Sequence, residues 1–178
     1  EISACLVGSE MCIRDRSGID SRGGINEVSR SDVNIIMSIN KKTHNILMIN
    51  TPRDYYVPLS ISNGVRDKLT HAGVYGIECS RNTLEMLYGI QIDYYVKVNF
   101  SGFEKIIDSL GGVDVTLDYS ATLSQAGNLT VHNGVNHFNG EQALAFARER
   151  YAYSDGDRQR GRNQMMIMAV SYTHLRAH

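Results

Sequence analysis

The residues of this chain best suited to chemistry are its arginines. Thirteen Arg stand against five Lys. Arg148, Arg150, Arg158, Arg160 and Arg162 fall within one phrase, RERYAYSDGDRQRGR. Arg22 and Arg30 flank a Gly-rich turn, and Arg53 follows Pro52. The guanidinium is a planar, permanently charged fork that grips phosphate oxygens two at a time, whereas Lys suffices for solubility. The preference for Arg therefore points to anion recognition, although a charge run taken alone equally describes a solvated helix face.

Two carboxylates form a second constellation. Asp20 sits in the turn-forming phrase SGIDSRGG, and Asp32 immediately precedes an apolar run. Carboxylates at the end of one element and the start of the next can meet across a sheet edge. Two of them facing a phosphate suit Mg²⁺, which keeps its waters and takes few protein ligands. An Asp beside Ser and Gly is otherwise a turn former. The third feature is Arg148-Glu149-Arg150. If Ala145–Arg150 is extended, both Arg lie on one face and make a paired phosphate clamp. If it is helical, they diverge by about 200° and Glu149 can bridge within the helix. The extended form is the favoured expectation.

The elements that must position these groups are readable from pattern. Val33–Asn40 and Asn45–Asn50 are apolar, partly β-branched runs around the polar turn Lys41–His44, and so predict a hairpin within a larger sheet. Pro52 and Pro58 bracket an extended or irregular segment, and Ser62-Asn63-Gly64 signals a turn. Cys79–Tyr88 has helical spacing with Gly89 as its stop. Ile92–Asn99 reads as a strand, and Ser101–Glu104 as a capping box opening a helix to Leu110. Val113–Leu117 is a strand. Asp118–Asn139 is a polar excursion with room for a short strand pair. Asn139 is expected to cap a helix from Gly140, and a last helix is expected over Asp157–Ala169. Strands alternating with helices imply a mixed sheet covered by helices, an α/β sandwich.

Composition sets the bounds. The 178 residues suit one domain, and 42% hydrophobic content is ordinary for a globular core. No run of 18 apolar residues could span a membrane. A net charge of −1 excludes a globally basic nucleic-acid binder. Three cysteines with no CxxC spacing give neither a disulfide framework nor a zinc pattern. Cys79 and His71 are expected to be structural, His132 and His137 to be surface residues, and the pairs Tyr55-Tyr56 and Tyr94-Tyr95 to be core or edge residues. Cys5–Arg16 and Val170–His178 resemble translated sequencing-adapter read-through. Residues 1–16 and 170–178 are therefore expected to be foreign to a domain spanning 17–169.

Seven phrases in order carry a resemblance. They are GIDSR (18–22), RSDVNIIMSIN (30–40), TPRD (51–54), KLTHAGVYG (68–76), IDYYVKVNFSGFEKIIDSLGGVDV (92–115), NGEQALAFARER (139–150) and GDRQRGRNQ (156–164). Together they resemble the LytR–CpsA–Psr family of cell-wall glycopolymer phosphotransferases. The resemblance implies an α/β/α sandwich with a central mixed sheet and a hydrophobic slot for a lipid tail. It implies transfer of an anionic glycopolymer, of teichoic acid or capsular type, from a polyprenyl pyrophosphate carrier to a sugar hydroxyl of peptidoglycan. The place of action would be the outer face of the cell membrane. Members carry an N-terminal membrane helix that is not seen in this sequence.

Residue by residue, the resemblance implies that Asp20 and Asp32 hold Mg²⁺. Arg30, Arg53, Arg148, Arg150 and Arg160 would hold the pyrophosphate, with Arg22 and Gln164 in the same motifs. Asp157 would either orient an Arg or take the acceptor proton. Orientation is preferred, because a carboxylate among Arg side chains is a weak base. Arg158 and Arg162 are assigned to solvated surface. Two rival activities share the site: hydrolysis of the lipid pyrophosphate, and non-catalytic binding of a polyanion.

Overall fold

The structure is a computed structural model that describes residues 2–5, 17–19, 32–40, 42–43, 45–124, 128–153 and 156–177. Its chain divides into two compact units, residues 1–100 and 101–178.

The first unit is built on a five-stranded mixed sheet. Its strands are β1 (Ile2–Cys5), β2 (Ser17–Ile19), β3 (Val33–Ile39), β4 (Ile46–Thr51) and β7 (Tyr95–Asn99), in the order β2-β7-β1-β3-β4. β1 runs parallel to β3 and antiparallel to β7, which fills the interior of the sheet. The expected hairpin is present: β3 and β4 are antiparallel with Asn34 opposite Thr51 and Ile39 opposite Ile46. Five successive β3 residues, Val33 to Met37, are buried, as in a strand covered on both faces.

The segment between the two prolines leads into a small hairpin that closes beyond Pro58. β5 (Tyr56–Pro58) pairs with β6 (Arg66–Lys68), and the turn signal is real, with φ of 49° at Asn63 and 91° at Gly64. A short helix α1 (Leu69–Ala72) and a 3₁₀ turn over Gly73–Tyr75 follow, and neither is evident from pattern. Helix α2 spans Ile77–Tyr88 and stops at Gly89, whose φ of 64° is the left-handed conformation glycine tolerates best. The strand expected over Ile92–Asn99 begins only at Tyr95. Ile92 is instead buried, with its N–H donated to Glu85 Oε1 at 2.7 Å.

Helix α3 (Phe100–Ser109) follows β7 without a break, starting one residue before the expected capping box, and all but its first residue belongs to the second unit. It ends at Gly111-Gly112 as expected; the Gly112 N–H returns to Ile107 O at 3.0 Å. Strand β8 (Val113–Leu117) alternates buried and exposed residues, sending Val113, Val115 and Leu117 inward. The polar excursion contains β9 (Ala121–Leu123) paired with β10 (Leu129–Val131), and β11 (Gly134–Phe138) pairs back onto β8. Asn139 caps helix α4 (Gly140–Arg148) in a full capping box with Gln142. Helix α5 runs over Gly156–Ala177, beyond the expected end at Ala169. Phe146, Leu123, Ile107 and Ile167 are the heart of this unit's core, with Phe138 and Phe146 rings 5.2 Å apart.

Candidate functional site

Strand register builds one candidate group, in the first unit. Carrying the β3–β4 pairing two residues beyond Asn34 and Thr51 sets Asp32 opposite Arg53. The side chains meet there: Arg53 Nη1 donates to Asp32 Oδ1 at 2.7 Å, with 32% and 21% of the side chains exposed. The backbone of Arg53 is held by the Thr70 N–H at the head of α1, 2.8 Å from Arg53 O. One step earlier, Thr51 Oγ1 and Tyr88 Oη lie 2.8 Å apart. Arg53 Nε also reaches Asp54 Oδ2 at 3.3 Å, and Lys68 Nζ reaches Asp54 Oδ1 at 2.8 Å. The hydrogen bond to Asp32 pushes the Arg53 pKa above its already high ordinary value, and that to Lys68 holds the Asp54 carboxyl below its own. The structure thus joins a residue expected to bind metal with one expected to bind pyrophosphate. Asp54 and Lys68 were not singled out by sequence, though both sit in the quoted phrases TPRD and KLTHAGVYG.

Arg148 and Arg150 form a separate candidate group, in the second unit. The favoured extended form of Ala145–Arg150 is corrected by the structure, since α4 continues through Arg148. The chain leaves the helix only at Glu149, with φ −62° and ψ 132°. The reason is tertiary. The helix's last carbonyls are satisfied by side chains of α5: Asn163 Nδ2 donates to Phe146 O at 3.0 Å and Gln164 Nε2 to Ala147 O at 3.1 Å. Gln164 is buried and takes a positioning contact on the helix end that presents Arg148. Asn163, fully buried, was missed by sequence reading, since an Asn within a polar helix start carries no signal of its own. Glu149 was also missed in its actual part: it is fully buried, and its carboxylate bonds to the backbone that follows it.

Arg150 is half-buried, and its carbonyl lies so close to Gly156 that a Cβ there would strike Arg150 O. Only glycine lets the start of α5 approach so near. Arg160 is half-buried with its Nε enclosed. Arg158 and Arg162 are exposed, and Arg162 Nε donates to Gln159 Oε1 at 2.9 Å.

Asp20, Arg22 and Arg30 lie outside the described residues. Asp157 falls in the first turn of α5, and its side chain is likewise outside the description. Among the described residues no group of three or more His, Cys, Asp or Glu could enclose a metal. Mg²⁺ does not need one, because one or two carboxylates plus substrate phosphates suffice. Asp32, with only Oδ1 given to Arg53 among the described residues, fits that donor set.

The other polar candidates are structural. His71 Nδ1 is 2.9 Å from Asp67, and His137 Nδ1 is 2.7 Å from Asp114 at an exposed site. Cys79 is buried. Tyr55, Tyr56, Tyr94 and Tyr95 are all exposed, which excludes the core, while Tyr56 sits at an edge on β5 of a two-stranded sheet.

The described elements make an α/β protein, with Arg53 held by a carboxylate at a strand end in one unit and Arg148 at a helix end tied down by side chains in the other. The chain belongs to the LytR_cpsA_psr family, whose family model matches residues 16–175. It is 35% identical over 162 residues to the polyisoprenyl-teichoic acid–peptidoglycan teichoic acid transferase TagT of Bacillus subtilis (strain 168), covering 86% of this chain and 49% of TagT. It is 35% identical over 156 residues to the transferase TagU of Bacillus cereus, covering 85% of this chain and 48% of TagU. The chain thus spans about half the length of these curated relatives. Among solved structures, TagT with bound octaprenyl pyrophosphate lipid matches with a TM-score of 0.74 at 30% identity, over 99% of this chain and 65% of that one. TagT bound to LI-WTA matches with a TM-score of 0.78 at 31% identity, over 99% and 64%.

Proposed function

We propose that this chain carries the catalytic site of a transferase. It would move a phosphate-linked anionic glycopolymer from a polyprenyl pyrophosphate carrier to a sugar hydroxyl of peptidoglycan, outside the cytoplasm. The observation that carries this is the fold shared with TagT holding octaprenyl pyrophosphate over almost the whole chain.

In the reaction, the acceptor hydroxyl oxygen bonds to the phosphorus next to the glycopolymer. The bridging oxygen–phosphorus bond breaks, polyprenyl phosphate leaves with the electron pair, and the hydroxyl proton is lost. Negative charge grows on the bridging oxygen as that bond lengthens. Fixed cations placed there lower the barrier because they need no reorganisation during the step. Arg53, Arg148, Arg150 and Arg160 supply those cations, together with Arg22 and Arg30. Arg53 is pre-set by Asp32 and cannot lose its proton at any working pH. Mg²⁺, where bound, would be held by Asp32 and Asp20 and would neutralise phosphate oxygens. By the family resemblance, Asp157 would orient an Arg.

Among the described residues no helix is long and apolar enough to cross a membrane. Arg150→Ala and Asp32→Ala are each expected to lower turnover of a lipid-pyrophosphate-linked glycopolymer by about 100-fold or more, with the circular dichroism spectrum unchanged. Wild-type turnover in both variants would overturn the site assignment.

A further inference from the structure

Glu149 stands between two arginines and is completely buried. A carboxylate is almost never fully enclosed unless it is paired. Here Oε1 accepts three consecutive backbone N–H groups, from Arg150 at 2.9 Å, Tyr151 at 2.7 Å and Ala152 at 3.2 Å. Ser124 Oγ reaches Oε2 at 3.5 Å. Successive N–H groups converging on one oxygen form the type of backbone concavity that in other proteins binds an anion. In this chain the concavity is filled by the protein's own side chain.

This has two consequences. The backbone after α4 has its donors engaged internally, so a substrate phosphate arriving there must be met by side chains. The turn itself is also fixed at both ends. Asn163 and Gln164 hold the carbonyls before it, Glu149 gathers the amides after it, and Gly156 packs against Arg150 O.

We propose that Glu149 is a positioning residue that fixes the turn carrying Arg150 and thereby aims its guanidinium at the donor pyrophosphate. The proposal rests on the donor reading above. Glu149 touches no reacting atom. What the turn needs is an acceptor oxygen at that reach, which an amide carbonyl also supplies.

The test uses the full chain, with binding of geranylgeranyl pyrophosphate measured by calorimetry and amide hydrogen exchange followed at residues 150–152. Glu149→Gln keeps an oxygen at the same reach, so affinity is expected to stay within about threefold and the amides to stay protected. Glu149→Ala is expected to weaken binding about tenfold or more and to speed exchange of the three amides at least tenfold. If Glu149→Ala does not fold, Glu149→Asp keeps the charge but shortens the reach, and it is expected to lose affinity where Glu149→Gln does not. A Gln variant as weak as the Ala or Asp variant overturns the proposal in favour of a need for charge. Binding by the unmodified chain that Glu149→Ala or Glu149→Asp leaves unchanged overturns the positioning role alone. No binding by the unmodified chain overturns the donor reading and the positioning role together.

Discussion

Arg53 Nη1 lies 2.7 Å from Asp32 Oδ1 because the β3–β4 register brings the residue before β3 opposite the second residue after β4. A carboxylate and a guanidinium that would each serve the same pyrophosphate thus hold one another in place. The hairpin that carries them has its buried side in the core of its unit.

The first prediction concerns that pair. Both side chains retain some exposure, so their mutual stabilisation should be modest. A double-mutant cycle of Asp32→Asn and Arg53→Gln, read by urea unfolding, should give a coupling of about 1 kcal/mol that shrinks in high salt. Additive single effects would show that the contact contributes nothing.

The joint between α4 and α5 should be costly to break. Asn163→Ala leaves the buried carbonyl of Phe146 with only the long 3.4 Å bond from the Glu149 N–H and opens a small void beside it. The expected loss is about 2 kcal/mol, seen as a lower urea midpoint with an unchanged slope. A midpoint equal to that of the unmodified chain would remove Asn163 from the account of how the Arg148 end is held.

Tyr119 makes an alkaline prediction. Its phenol is pushed above the ordinary tyrosine value, first by burial and then by the Tyr153 hydroxyl 3.0 Å away. The folded state therefore keeps a proton that the unfolded state releases near pH 10, a value set by the free phenol. Stability from this group is complete below about pH 10 and falls as pH rises toward the folded value. Tyr119→Phe should flatten that alkaline loss and remove the last-ionising phenol from a titration followed at 295 nm. An unaltered titration curve would contradict the assignment.

Local pattern carried much of this fold, and tertiary contact decided the rest. The hairpin turn, the Gly89 stop, the Gly111-Gly112 end and the Asn139 cap are local chemistry, and each appears where the residues place it. Arg148 is different. Its immediate neighbours favour the extended form, and the helical outcome rests on Asn163 and Gln164, more than ten residues away in the chain. Ile92 failed as a strand residue for a similar reason, since its N–H is taken by Glu85 of a preceding helix. The candidate arginines were legible because their type and clustering announce anion chemistry. Glu149 and Asn163 were not, because their work is on backbone groups, which every sequence contains.

The central claim is acceptor-dependent transfer. The direct measurement incubates the chain, with Mg²⁺, with a polyprenyl-pyrophosphate-linked glycopolymer and uncrosslinked peptidoglycan, and follows polyprenyl phosphate release together with the mass of the glycan product. The account predicts release that rises with acceptor and a product joined through a single phosphodiester. Release that ignores the acceptor and yields only free glycopolymer phosphate, or no release at all, would contradict it.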